Sequence, residues 1–261
     1  MTRALFFDID GTLLSFQTHT VPDSTRRALV EAKRLGHKLF IATGRPPHII
    51  GSVGSVLDLF DGFVTINGAY CFTPTEVISH DILPHSIVQT VVDDALLHGY
   101  SCIAVTDENM YVINDTDILR LTFEQQLNIR VLQYGAKKED IIGKKVLQLT
   151  PFIPATDDSL LSTIEAECSV GRWHPAFVDI TARGTDKGNG IALMAKHFGI
   201  PIAHTIAFGD GGNDAPMLLR AGMGVAMGNS SDTTKAAADY ITTDIDDNGI
   251  EKALKHLKII N

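Results

Sequence analysis

The pattern that most narrows the fold is an alternation, near both ends of the chain, of short continuous apolar runs with segments of helical periodicity. "ALFF" (4–7) and "HKLFIATGRP" (37–46) are two such runs. Between them "DSTRRALVEAKRLG" (23–36) sets Ala28, Leu29, Ala32 and Leu35 on one stripe, with Asp23 or Ser24 as N-cap and Gly36 as stop. Runs apolar at every position suit strands buried on both faces, and a helix between two of them makes a β-α-β unit. "GFVTINGAY" (62–70) reads as a third strand. The C-terminal third returns to the same order, with helix "TDKGNGIALMAKHFG" (185–199), strand and loop "HTIAFGDGGND" (204–214), helix "APMLLRAG" (215–222) and strand "MGVAMG" (223–228). This alternation predicts an α/β fold with a doubly wound parallel sheet.

Between about residues 83 and 181 the order changes. A helix with apolar positions Ile87, Val88, Val91, Val92, Ala95 and Leu96 leads into "SCIAVTDENMYVIN" (101–114), two short strands around an Asp-Glu-Asn turn. "DILRLTFEQQL" and "DDSLLSTIEAE" read as helices, "KKVLQLTPFI" as a strand, and "CSVGRWHPAFVDIT" as a closing hairpin. Hairpins interleaved with helices predict an α+β insertion on an antiparallel sheet. The expected organisation is a core of residues 1–82 and 182–261 interrupted by an inserted domain, 83–181.

"RALFFDIDGTLL" then raises a chemical question, because Asp8 and Asp10 follow a buried strand and precede Gly11-Thr12. Asp and Gly are ordinary turn residues. A calcium loop fits poorly, since Leu13-Leu14 stands where ligands are needed and no bidentate Glu follows at the required distance. The remaining reading is a pair of carboxylates at a strand end that holds a divalent cation and works on an anionic substrate. The bulk numbers agree. Among 261 residues 44% are hydrophobic, enough for a sizeable core, and the net charge of -9 without a basic block argues against nucleic acid or an anionic membrane as partner. Three scattered cysteines, Cys71, Cys102 and Cys168, suggest neither a disulfide framework nor a zinc site. The first apolar run is short and carries acids, unlike a signal peptide, and a cytoplasmic location is expected.

Four stretches belong together: Asp8-x-Asp10-Gly11-Thr12, Thr43-Gly44-Arg45, Lys187, and Gly209-Asp210-Gly211-Gly212-Asn213-Asp214. In this order they resemble the motif set of the haloacid dehalogenase (HAD) superfamily, and "GVAMGNSSDTTKAAADYIT" is similar to the tail of its Cof-type sugar-phosphate phosphatases. The resemblance implies a HAD core with an inserted C2-type cap of subtype B that governs substrate specificity. It further implies a magnesium-dependent phosphatase acting on small phosphate monoesters through an aspartyl phosphate. By that resemblance Asp8 is the nucleophile, Asp10 the acid and base, and Asp8, Asp10 (through its carbonyl) and Asp210 the ligands of Mg2+. Thr43, Gly44, Arg45, Lys187 and Asn213 form the expected substrate and phosphate set, with Thr12 and Asp214 in support.

The residue types suit these roles. A carboxylate oxygen can attack phosphorus, a second carboxyl can move a proton at the leaving oxygen, and hard oxygen donors suit magnesium better than zinc. A lysine opening a helix runs against the macrodipole, which a nearby anion would explain. Arg45 equally suits contact with the leaving group or pairing with a core acid. Asn213 and Asp214 could instead cap the helix near Pro216. Asp179 stands where sequences of this resemblance often carry an acid, and equally suits an outward residue of an alternating strand, while Trp173-His174 reads as a hairpin turn with an aromatic wedge. A phosphosugar mutase shares the nucleophile and cap type. A phospho-aspartate signalling receiver also uses clustered acids, a Thr and a Lys, but is about half this length. A dehalogenase would lack the metal set.

Overall fold

A computed structural model describes residues 1–127, 129–157 and 159–261, with Trp173 described in its backbone only. The chain forms two compact units. One comprises Met1–Arg45, Ile50–Ser79 and Asp186–Asn261, the other Pro46–Ile49 and His80–Thr185.

In the first unit the chain opens with strand β1 (Ala4–Phe7), helix α1 (Asp23–Arg34) and strand β2 (Lys38–Ala42), then adds β3 (Gly62–Thr65), β4 (Tyr70–Phe72) and β5 (Val77–His80). α1 begins after Pro22, and no side chain caps it. Asp23 is its first residue rather than its cap, a position where a carboxylate favours the helix dipole. Ala28, Leu29 and Ala32 are buried, but Leu35 follows the last helical turn and is 42% exposed. The third strand is shorter than its apolar run. Ile66 and Asn67 both take φ of 52°, the chain reverses at Asn67-Gly68, and β4 returns antiparallel to β3. Asn-Gly is a strong turn signal, and it outweighs the apolar pattern.

In the second unit helix α2 (His85–His98) is followed by β6 (Cys102–Thr106) and β7 (Met110–Ile113), then helix α3 (Asp117–Leu119), continued by a π-helical turn Arg120–Gln126. β8 (Leu132–Tyr134), α4 (Lys138–Ile141), β9 (Val146–Pro151), α5 (Ser159–Ile164), β10 (Cys168–His174) and β11 (Phe177–Ala182) complete it. Its six strands lie in the order β10-β11-β9-β6-β7-β8. Every pair is antiparallel except β7 with β8, which is parallel, so the sheet is mixed rather than purely antiparallel. A parallel neighbour needs a crossover, and α3 with its π-helical turn supplies one. α2 packs Ile87, Val88, Val91, Val92 and Ala95 against Ala104, Leu149, Val178 and Ile180. Leu96 falls off the edge of that stripe and is 46% exposed. Asp158, where the sequence pattern starts a helix, and the Trp173 wedge lie outside the described residues. His174 belongs to β10 rather than to the turn, and its ring stacks on Phe177 at 5.0 Å.

The chain then returns to the first unit with α6 (Lys187–His197), β12 (Thr205–Gly209), α7 (Ala215–Arg220), β13 (Met223–Ala226), α8 (Asp232–Ala236), β14 (Tyr240–Ile241) and α9 (Gly249–His256). The sheet runs β14-β13-β12-β1-β2-β3-β4-β5, and the six strands from β14 to β3 are parallel. Alternate residues of β1 face opposite layers. Leu5 and Phe7 join the cluster with α1 and α9, while Ala4 and Phe6 join the one with α6 and α7. Each fully buried Phe is worth about 1.5–3 kcal/mol relative to exposure. From β1 the winding goes outward through β2 and β3 on one side and, later, through β12, β13 and β14 on the other. The switch point between β1 and β12 is where sheets of this kind open a crevice at their carboxyl edge. Asp8 follows β1 and Asp210 follows β12, so the switch point is where the acids converge.

Candidate active site

The floor of the crevice is a fully buried ion cluster. Lys187 Nζ, with no exposed surface, donates to Asp8 Oδ1 at 2.6 Å and to Asp214 Oδ1 at 2.5 Å. Gly190 makes this reach possible: a Cβ there would lie 2.4 Å from Val64 Cγ1, so only glycine lets α6 approach β3 so closely. The cation at the helix start is thus explained by two carboxylates facing it. Asp214 does not cap α7. Its Oδ2 accepts the N–H groups of Asp210 (2.9 Å) and Gly211 (2.8 Å), fixing the loop after β12. Asp210 Oδ1 in turn accepts from the Thr12 hydroxyl at 2.8 Å, tying that loop to the one after β1. Gly11 must be glycine at the crossing, because its φ is 78° and a Cβ would stand 2.1 Å from Asp210 Oδ2.

Two carboxylates face one buried ammonium with Asp210 close by, and burial with the surplus negative charge raises the proton affinity of Asp8 and Asp210. Burial, then the neighbouring Asp214, raise the pKa of Asp8 well above the carboxylate range, against the pull of Lys187. Burial and Asp214 push Asp210 up to about 7, with the Thr12 hydroxyl opposing. Burial works against the Lys187 ammonium, yet Asp214 and Asp8 outweigh it and raise its pKa. Ligand oxygens of Asp8, Asp210 and Asp214 lie within 4.8 Å of one another. An all-oxygen donor set with excess negative charge fits a hard divalent cation. Both oxygens of Asp214 are taken by Lys187 and the loop N–H groups, so Asp8 and Asp210 are the carboxylates better suited to direct contact, with Asp214 behind them.

Toward the mouth the other expected residues assemble. Thr43 is buried after β2, and its Oγ1 accepts the Arg45 N–H at 3.1 Å. Gly44 leaves room for Asn213 Nδ2 to donate to Asn67 Oδ1 at 3.0 Å. Asn213 is exposed. The Asp10 carboxylate lies outside the three-carboxylate group and is gripped by Arg45, with Nε on Oδ2 at 2.7 Å and Nη2 on Oδ1 at 2.6 Å. Of the two readings left open for Arg45, the structure shows the pairing with an acid. Residues that motif reasoning missed are Asn67, Ser52, which accepts from Arg45 Nη1 at 2.8 Å, and Asn229, whose Nδ2 donates to the Gly11 carbonyl at 2.8 Å. The Asn67-Gly68 dipeptide carries a turn signal inside a run that reads as a strand, and nothing in it names Asn213 as a partner. In the second unit Asp179 is not outward but buried, accepting from Gln148 (2.9 Å) and Thr150 (2.8 Å).

Fold and site together define an α/β protein with a buried acid cluster at the carboxyl edge of a doubly wound sheet. The family model for haloacid dehalogenase-like hydrolases matches residues 5–254, and the chain belongs to that family. Among solved structures it is similar to the HAD subclass IIB sugar phosphatase BT4131, with 45% identity and a TM-score of 0.92 over 99% of this chain and 100% of that one. It is also similar to the HAD phosphatase BT1666 from Bacteroides thetaiotaomicron, at 33% identity and a TM-score of 0.87 over 100% and 96% of the two chains. Pyridoxal phosphate phosphatase YbhA of Escherichia coli (strain K12) is 30% identical over 93% of this chain and 94% of its own. The protein is a phosphatase of this family, acting on phosphate esters. No helix among the described residues is long and apolar enough to cross a membrane.

Proposed function

We propose that this protein is a magnesium-dependent phosphatase that hydrolyses small phosphate monoesters, sugar phosphates foremost, through an aspartyl phosphate on Asp8. The observation that carries the reading is the buried Lys187 shared between Asp8 and Asp214, with Asp210 alongside. An ammonium that holds the nucleophile's carboxylate in place also offers charge to the phosphoryl oxygens as they approach. The similarity to a sugar phosphatase supports the substrate class.

In the first half-reaction an Asp8 carboxylate oxygen bonds to phosphorus as the bond to the ester oxygen breaks, and Asp10 gives a proton to the departing alkoxide. In the second, water attacks the phosphoryl group, the bond to Asp8 breaks, and Asp10 takes the water's proton. The Thr43 hydroxyl, the Gly44 N–H, Asn213 and Lys187 hold the phosphoryl oxygens, while Thr12 and Asp214 keep the two loops in register. Mg2+, held by Asp8, Asp210 and the Asp10 carbonyl, would neutralise charge on the phosphoryl group and offset the surplus of the acid cluster. The inserted unit, whose sheet buries Gln148, Thr150 and Asp179, is assigned the choice among alcohols.

The test is a panel of sugar phosphates, pyridoxal phosphate and an aryl phosphate assayed with magnesium and after exhaustive chelation. Phosphate release that depends on the metal and favours sugar phosphates is expected. Activity surviving chelation would overturn the metal assignment, and transfer of phosphate within the sugar instead of its release would make the protein a mutase.

A further inference from the structure

The resemblance places Thr43, Gly44 and Arg45 in the substrate and phosphate set, and an arginine there invites a phosphate-clamping role, since guanidinium groups hold phosphate bidentately. The geometry points elsewhere: we infer that Arg45 is a positioning residue that acts through Asp10 and not on the transferring phosphoryl group. Its fork is spent on the carboxylate, Nε on Oδ2 and Nη2 on Oδ1, and its third nitrogen is on Ser52 Oγ. The backbone it springs from is equally fixed, the N–H donating to Thr43 Oγ1 at 3.1 Å and the carbonyl accepting from Ile66 at 3.1 Å. Asp10 itself sits on a glycine-adjacent turn and is only half-buried, so it has little else to hold its χ angles. A group that must reach a leaving oxygen and later a water within hydrogen-bond distance gains from a rigid planar anchor. Ser52 sets the far side of that anchor and in turn lines a cleft of about 720 Å³ formed with Thr18, Asp23, Arg26 and Ser55.

The inference rests on the phosphatase reading for its chemistry, but coupling between the two side chains can be measured separately. Four proteins serve: wild type, D10N, R45M and D10N/R45M, with R45K as a variant that keeps the charge but not the fork, and circular dichroism to show each is folded. Initial rates are taken with a sugar phosphate and with p-nitrophenyl phosphate. R45M is expected to lower kcat for the sugar phosphate on the order of tenfold or more, to lower it less for the aryl ester, and to leave KM within about twofold. R45K should recover only part of the loss. In the D10N background R45M should cost nothing further, because the partner through which it acts is already disabled. A loss as large in D10N as in wild type, a tenfold rise in KM shared by both esters, or no effect of R45M at all would overturn the inference. If the two substitutions are non-additive while D10N slows both esters alike, the coupling stands and the acid role of Asp10 fails instead.

Discussion

Two ion-paired systems stand within one crevice, and they are built to opposite rules. On the floor, Lys187 and Asp214 have no exposed side-chain surface and Asp8 only 9%, one cation serving two anions. At the mouth, Arg45 and Asp10 are 22% and 38% exposed, one cation serving one anion through two parallel bonds. Desolvation sets the difference. Buried charges cannot exchange partners for water, so the floor is a fixed frame whose loss costs stability. A pair open to solvent is worth little to the fold, about 0–1 kcal/mol, and is free to serve the reaction. On the proposed mechanism the nucleophile, Asp8, belongs with the buried frame, and the proton carrier, Asp10, with the solvent-open pair.

The strongest challenge to this division is Asp8→Asn. It should lower kcat on the order of 10^5-fold or more for every ester while leaving thermal stability unchanged or higher, since a charge penalised by burial is replaced by its neutral isostere. Measurable steady-state turnover, with deamidation excluded, would place the nucleophile elsewhere. Lys187→Met comes next, because it strands two carboxylates in the interior. A loss of about 3–5 kcal/mol in denaturant unfolding is expected, together with loss of activity. A stable Lys187→Met protein would mean that the floor is not a structural frame.

The floor should also couple metal to protons. With Asp210 raised to about 7 by burial and Asp214, its carboxyl is about half protonated at pH 7, and a cation must displace that proton. Magnesium affinity, followed by calorimetry in buffers of different ionisation enthalpy, should therefore rise up to about tenfold per pH unit below 7 and level off above it. The sign is opposite for the metal-free fold. A carboxyl whose folded pKa lies above its ordinary 3.8 contributes most below that value, so Asp210's contribution is lost as pH rises from there toward 7. Chelated protein should melt lower at pH 7 than at pH 5, and magnesium should narrow that gap. At the mouth the effects shrink. Ser52→Ala removes one outer contact of the Arg45 fork and should change stability by less than about 0.5 kcal/mol. Its activity loss should be smaller than that of R45M and again larger for sugar phosphates than for an aryl ester.

Much of the floor was legible along the chain. Asp8, Lys187, Asp210 and Asp214 each sit at a strand end or helix start marked by glycine, and a lysine placed against the helix dipole points to a nearby anion. The mouth was legible only in part: Asp10, Thr43, Gly44, Arg45 and Asn213 carry motif signals, but Ser52 sits in the short helix after Arg45 with nothing to mark it. Asn67 and Asn229 lie where the chain turns, and nothing in their neighbourhoods names a partner 146 or 218 residues away. The outward alternative for Asp179 fails for a related reason. Alternation says which residues share a face, but not whether that face is covered.

From the sequence alone came the alternation of apolar runs and helices, hence the doubly wound sheet, and the acids placed at its carboxyl edge. These are properties of neighbouring residues, set by backbone sterics and by the periods of 2 and 3.6. Tertiary structure alone decided which acid faces Lys187 and which faces Arg45. Asp8 and Asp10 are two residues apart and chemically identical. Their environments diverge because α6, packed against β3 at the closeness Gly190 permits, delivers an ammonium to the floor, while the turn after β2 delivers a guanidinium to the mouth. Burial then makes the first pair rigid and leaves the second exposed, a distinction no local pattern encodes.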